Sequence, residues 1–577
     1  MQPDEIQKSN IAAMHVERPD VLAIEHEEDV NYSVGVRTSL AIIALALANC
    51  CATLSNTTNT IIKFQVIAVG GAAEASWIAN GNFLLTLACG PIFGSLADRL
   101  GKKWFIVGGA AVGVAGSFIS ASGKDVFTII AGNVLTGIAN AGCIVAIPAN
   151  QEIIPNRFRP YAFGFAQTVN SAAAVAGVFT AAAFAQYSTW AWSYRLNGIV
   201  YAVSALSVLA LYQPPPTAIR RSASIREILL GVDYIGMVLL AGSFACIVLG
   251  LTWGGTAYPW RSGIIIGTLT GGCAGLVIFG LFEWLVKREG ALLDRRLFGS
   301  PNFPILCFVC LIDGMLLLGI NVLYAQEIGD LFASQAVRIA VILSPFLITS
   351  TVGCLPAGYA MGRTKSYRIL LVASLLWCSL FTGLMGLINP SRLSVALAMS
   401  ALFGIGTAVT TVLPLVALGL SVPSFLLGTA GTLSISARAL GGIVGVTVFT
   451  AIYNNKYAVY MPRAVITALQ NLPDSQQIVP AVIGALSSPL PPPVALQTVQ
   501  QLPASMIGPV LGAISVASAM AWKYVWIAIA CVVLAGAFSS CFLKPVNAEM
   551  NSHVESALEK SVTREKQLHG NEATPDH

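Results

Sequence analysis

Charge is scarce in this chain of 577 residues: only 10% of them are Asp, Glu, Lys or Arg. A water-exposed fold carries roughly 25%, so a soluble globular protein is excluded. The five histidines, His15, His26, His553, His569 and His577, all lie near the two ends. No imidazole is therefore available inside the apolar body as a proton relay, and a proton carrier there must be a carboxylate. The 12 cysteines, among them Cys50, Cys143, Cys310 and Cys354, sit inside apolar runs without metal-ligand spacing. They read as small packing residues rather than a disulfide framework, and neither metal nor cofactor is expected. The sequence has no Gly-x4-Gly-Lys-Ser/Thr loop, so ATP is not the energy source. It has no nucleophile and base at recognisable spacing, so an enzyme is not expected. The net charge of +5 is dispersed, which leaves no basic stripe for nucleic acid.

What the chain has is apolar length. Hydrophobic residues make up 55% of it, with a mean hydropathy of +0.74. Runs of about 20 residues, enough to cross roughly 30 Å of hydrocarbon, begin near residue 38 and recur to 543. They predict an all-α membrane protein of about 14 transmembrane helices. Lys and Arg gather in alternate connections, such as Arg99, Lys102 and Lys103, then Arg157 and Arg159, then Arg363, Lys365 and Arg368. That bias puts both ends of the chain in the cytosol. The expected plan is a disordered cytosolic tail over 1–37, a six-helix bundle over 38–212, and a linker with two extra helices over 213–300. A second six-helix bundle follows over 301–543, with a long outer loop at 453–521 that carries an amphipathic or re-entrant piece, then a cytosolic tail over 544–577.

The charged turn between the second and third runs reads Gly94-x-Leu96-Ala97-Asp98-Arg99-x-Gly101-Lys102-Lys103. A positive-inside loop accounts for its basic residues but not for Asp98 or the two glycines. This spacing resembles the signature of the major facilitator superfamily. In that family the turn holds a cytoplasmic gate shut through charge contacts and a helix end, and a carboxylate is favoured at a helix N-terminus by the macrodipole. Gly358-Tyr-Ala-Met-Gly362-Arg363 follows the tenth run in the same relation, with Gly358 in the place of Gly94 and Gly362 in that of Asp98. The echo suggests two halves related by a pseudo-twofold axis along the membrane normal.

Three further stretches, Asn150 to Pro160, Ser436 to Gly445 and Ile452 to Lys456, are similar to the fourteen-helix drug:proton antiporters, especially the fungal trichothecene efflux pumps. Siderophore-iron transporters come next. Two departures stand out. Proton-coupled relatives carry an arginine where this chain has Asn133. The fifth-helix antiporter motif keeps Gly164 and Gly177 at its spacing, but has Ala173, Val178, Ala181 and Ala182 where the pattern has other glycines and a proline.

Ionisable residues within membrane runs are functional candidates by default. Asp313, midway along the ninth run, is placed to load and release a proton. Arg438, in the thirteenth, is its counter-ion, a contact for an acidic substrate, or a structural clamp. Amides and hydroxyls at Asn56, Asn82, Asn133, Gln167, Asn170, Ser171, Asn321, Tyr324 and Gln326 are candidates for a substrate cavity. Gln167, Asn170 and Ser171 share one helix face, and such a lining suits a bulky, neutral, amphipathic organic molecule. The resemblance implies a secondary transporter working by alternating access. It is expected to export a toxin, fungal secondary metabolite or xenobiotic in exchange for protons, as a monomer in the lipid bilayer of the plasma membrane, or else of a vacuole or vesicle. Proton-coupled import of ferric siderophores is the alternative, and a non-transporting membrane sensor a more remote one.

Overall fold

The computed structural model describes residues 35–546, except for 63–64, 66–68, 71–74, 216–223, 256, 286–291, 334, 471–474, 487–491 and 500–501. The expected tails therefore fall almost wholly outside the described residues, as do all five histidines. Among the described residues there is no β-strand, and fourteen helices are long and apolar enough to cross a membrane. In chain order these are α1 (Val36–Thr57), α2 (Ala75–Leu100), α3 (Lys102–Ala121), α4 (Val126–Glu152), α5 (Arg159–Tyr187), α6 (Ala191–Leu211) and α7 (Tyr234–Trp253). They continue with α8 (Gly263–Leu285), α9 (Asn302–Leu331), α10 (Ala336–Thr364), α11 (Tyr367–Met385), α12 (Leu393–Ser421), α13 (Leu427–Leu469) and α14 (Ala504–Ser540). Prolines inside α2, α10, α12, α13 and α14 are tolerated because neighbouring helices and local adjustments satisfy the freed carbonyls.

α1 to α6 pack on one another and α9 to α14 on one another, with α7 and α8 as an antiparallel pair set against α2. Two helix pairs make the main join between the halves, α2 with α13 and α5 with α10. Both rely on small residues that let backbones approach. A Cβ on Gly94 would strike Thr432, and one on Gly358 would strike the Pro160 carbonyl and the Gly164 backbone. Gly94 thus meets the first turns of α13, and its sequence echo Gly358 meets the first turn of α5, as two halves repeating one plan would have it.

The segment 453–521, expected as an outer loop with an amphipathic or re-entrant piece, is mostly helical among its described residues. α13 continues without interruption to Leu469, and α14 begins at Ala504, with short helices Ser475–Leu486 and Pro492–Gln497 between them. Polar composition and prolines suggested a loop, but Met461, Val465 and Leu469 recur every fourth residue on α13. They bury with Ile478, Val482, Leu496, Val510 and Ile514 in an apolar core of their own. At its base the Tyr453 ring packs on Trp522, 4.4 Å between centroids. Met506 to Ala519 forms the first part of α14.

Candidate gate and transport site

The α2–α3 turn is tight because Gly101 adopts φ +102°, a region that side chains disfavour. It presents Asp98, Arg99, Lys102 and Lys103 at one end of the molecule, with Asp98 and Lys102 paired. Asp98 Oδ1 accepts from the Gly428 N–H at 2.9 Å, and its Oδ2 from the Thr429 N–H at 2.7 Å and the Thr429 hydroxyl at 3.0 Å. A carboxylate of one half thereby caps the N-terminus of a helix of the other, where exposed amides and the macrodipole favour negative charge. Lys102 Nζ, 4% exposed, pairs with Asp98 at 2.8 Å and also with Glu152. Arg99 Nη1 donates to the Gly231 carbonyl at 3.1 Å, just ahead of α7. Lys103 donates to the Leu209 carbonyl at the end of α6.

Other contacts seal the same end. Gln151 donates to the Leu415 carbonyl and Arg159 to the Gly419 carbonyl, both on α12, while the rings of Tyr161 and Tyr359 meet edge to face. Gln151, Glu152 and Arg159 were absent from the candidate residues, although the motif containing them was visible. Their partners lie more than 40 residues away, so only the fold reveals their role.

Asp313 and Arg438 come together. Arg438 Nη2 is 2.7 Å from Asp313 Oδ2, and Asp313 Oδ1 accepts from the hydroxyls of Thr410 at 2.8 Å and Thr411 at 3.3 Å. The approach depends on Gly314, where a Cβ would collide with the Arg438 backbone. Asp313 is fully buried, and Arg438 Nε has no acceptor among the described residues. Directly after the pair, α9 widens into a π-helical turn at Met315–Gly319, a feature common at functional sites.

The amide candidates divide. Gln167 pairs with Asn49, and Asn170 accepts from Thr53 at 2.6 Å, so both face α1. Ser171 looks across to Cys354 Sγ on α10 at 3.9 Å. Asn56 is half-buried nearby in sequence on α1, its Oδ1 without a donor among the described residues. Gln167 and Asn170 thus bond to α1 within the first half, while Ser171 reaches across to α10 of the second. Gly164 faces Gly358 where α5 meets α10, and Gly177 lies against Thr57.

Asn82 and Asn133 are corrections. Asn82 donates to Ser55 and Thr136 and accepts from Asn140. Asn133 donates to the Tyr194 hydroxyl at 3.0 Å and back to the Ile129 carbonyl. Each is 1% exposed, and their bonds stay inside the first half, tying α1, α2, α4 and α6 as interhelical glue. On α9, Asn321 bonds back to its own Leu317 carbonyl, Gln326 is exposed, and Tyr324 is buried inside the second half with its hydroxyl on the Ala396 carbonyl. These three do not converge with Gln167 and Ser171.

Three buried acids escaped the sequence reading: Asp233, Glu283 and Glu327. Glu327, 1% exposed, accepts from Trp526 Nε1 through both oxygens at 3.2 and 3.1 Å. One turn on, Asp330 accepts from Trp522 Nε1 and the Tyr453 hydroxyl. A separate cavity of about 300 Å³, lined by apolar residues including Pro91, Phe244, Phe279 and Leu433, lies between α2, α7, α8, α9 and α13.

A family profile described as the fungal trichothecene efflux pump matches residues 25–576, nearly the whole chain. The chain belongs to the fungal trichothecene efflux pump family. It is similar to the MFS-type transporter gkaD of Penicillium citrinum, 28% identical over 74% of this chain and 73% of that protein. It is also similar to the efflux pump FUS6 of Gibberella moniliformis, 26% identical over 79% and 81%. An uncharacterized MFS-type transporter of Mycobacterium tuberculosis is 26% identical over 78% of this chain, which spans 61% of its length. Among solved structures, the human organic anion transporter MFSD10 superposes with a TM-score of 0.51 at 13% identity, covering 86% of this chain and 99% of that one. That likeness shows the major facilitator fold. This member of the trichothecene efflux pump family is therefore a multi-pass membrane transporter.

Proposed function

We propose that this protein is a proton-driven exporter of small amphipathic organic molecules, a fungal secondary metabolite or xenobiotic, working as a monomer in the plasma membrane. Export agrees with the family and with relatives named efflux pumps. The observation that carries proton coupling is the Asp313–Arg438 pair. It is a carboxylate with no exposure, on a membrane-length helix, held by one guanidinium and two hydroxyls. Protonating Asp313 releases Arg438, and the freed guanidinium loosens α9 from α13. Because α13 is also the helix capped by Asp98, proton exchange at the pair reaches the gate through one rigid element. The polar residues Asn56 on α1 and Gln167, Asn170 and Ser171 on α5 offer amides and hydroxyls to a neutral, oxygen-rich substrate. Under the positive-inside reading the sealed end is cytosolic, so the halves are closed towards the cytosol.

The test is transport into proteoliposomes under an imposed pH gradient, with a trichothecene and a panel of neutral amphipathic compounds as substrates. Accumulation that collapses on adding a protonophore supports the proposal. Accumulation indifferent to the proton gradient overturns the coupling, and uptake confined to ferric siderophores overturns the substrate class.

A further inference from the structure

The two central helices end beside the gate in a pair of facing carboxyls. Asp233 caps α7, its Oδ1 accepting the Gly236 N–H at 3.0 Å. Glu283, near the end of α8, accepts the Leu292 N–H at 3.1 Å through Oε1. The residues are 3% and 2% exposed. Each carboxyl thus spends one oxygen on a backbone amide, and the others, Asp233 Oδ2 and Glu283 Oε2, find no donor among the described residues. The two side chains face each other across the space that Gly236 leaves open, since a Cβ there would meet Asp233 Oδ2 and Glu283 Oε1 together.

Two ionised carboxylates have no hydrogen to place between them and repel strongly once desolvated. Such pairs settle by keeping one proton. The surrounding charges do not remove the need for it. Arg99 reaches in from α2, with Asp98 beside it and Asp294 on the segment before α9. Asp98 is already matched by Lys102 and the α13 terminus, and Asp294 caps its own turn through the Arg296 N–H. Arg295 packs over the Trp284 ring, so among the described residues the Arg99 guanidinium faces the two carboxyls, and a single proton balances them. A metal ion is a poorer occupant, because no set of three His, Cys, Asp or Glu ligands gathers among the described residues.

We propose that Asp233 and Glu283 form a second proton-binding site, separate from Asp313, in which one proton is shared between α7 and α8 and is read by the gate through Arg99. With the proton bound, the pair carries one negative charge and Arg99 matches it. Loss of the proton to water doubles that charge and tightens the hold on Arg99. Since Arg99 adjoins Asp98 on the turn, rising pH at this end restrains the gate. The two central helices thereby act as a brake on the gate, set by pH.

Infrared difference spectroscopy on the purified, lipid-reconstituted protein tests this without requiring transport, so it stands or falls apart from the coupling assigned to Asp313. The wild type minus Glu283→Gln spectrum is expected to show a protonated-carboxyl C=O band that bleaches as pH rises, and Asp233→Asn should remove or shift the same band. Gln and Asn keep shape and supply an N–H for the remaining carboxylate, and a monodisperse gel-filtration profile confirms that each variant folds. Arg99→Gln should move the bleaching midpoint up by about one pH unit or more, since removing a nearby cation favours the protonated form. Absence of the band in both difference spectra, or its persistence in both variants, overturns the site. A midpoint unmoved by Arg99→Gln overturns its link to the gate.

Discussion

Asp98 and Thr429 belong to different halves of the molecule and share two hydrogen bonds, from the Thr429 amide at 2.7 Å and its hydroxyl at 3.0 Å to one carboxylate oxygen. They are also the join most sensitive to charge. Nothing about the fold of either half depends on this contact, because each partner ends a helix that is held elsewhere along its length.

Asp98→Asn is therefore expected to preserve expression and insertion while weakening closure. The variant loses the ion pair to Lys102 and the favourable charge at the α13 terminus, together about 2 kcal/mol in a partly buried setting. That shifts the closed-to-open ratio roughly 30-fold. Alkylation of Cys354, fully buried beside the α5–α10 junction, should rise when followed by mass spectrometry, and turnover in vesicles should fall. Unchanged Cys354 reactivity together with wild-type turnover would remove the turn from the gating mechanism.

Gly358→Val tests the other join. The added side chain has nowhere to go, since even a Cβ meets the Pro160 carbonyl and the Gly164 backbone. Overpacking of this kind costs about 1–3 kcal/mol, and it falls on contact between the halves rather than within either. Transport should drop at least about tenfold, with thermal unfolding little changed. A large fall in melting temperature instead would place Gly358 in the stability of one half.

The hinge motif, the span count and the isolation of Asp313 and Arg438 within membrane runs were legible in the sequence because their signals are local or scarce, while their pairing was one of three readings open for Arg438. A 20-residue apolar run is visible without a fold, and few charges interrupt those runs. The directions of the amides were not legible. Gln167 and Asn82 are equally polar on equally apolar helices, and only packing puts Asn82 among Ser55, Thr136 and Asn140. Glu327 escaped because the composition turns polar just after Tyr324, where an apolar run reads as ended. What buries it is Trp526, nearly 200 residues later in the chain. The 453–521 segment failed in the same way, since a polar surface conceals a helix whose apolar face finds its partner only in three dimensions.

Glu327 and Trp526 should couple energetically. Trp526→Phe leaves a buried carboxyl without its donor, a loss of about 1–3 kcal/mol, whereas Glu327→Gln keeps an acceptor for the indole N–H and should cost less. In the double variant the penalty of Trp526→Phe should shrink, since no buried acid remains to be stranded. A double-mutant cycle from thermal unfolding in detergent checks this. Strictly additive effects would show that the two side chains are neighbours without an energetic bond.

The last prediction concerns Asp313. Asp313→Asn removes the ionisable group but keeps an oxygen for the hydroxyls of Thr410 and Thr411. Arg438 is 12% exposed and already donates to the Thr411 carbonyl at 3.2 Å, so it is not wholly stranded by the change. The fold should survive, and downhill exchange of substrate should remain measurable. Accumulation against a gradient should be lost, because no proton is then exchanged as the halves rock. Arg438→Met is a different case. It leaves a buried carboxylate without its cation, a defect of about 3–5 kcal/mol, and should lower the melting temperature as well as transport. Combining it with Asp313→Asn should restore much of the stability but none of the accumulation. That contrast separates coupling from folding within one set of reconstituted proteins. If Asp313→Asn still concentrates substrate with unchanged pH dependence, the pair is a structural clamp and the coupling proton is carried elsewhere.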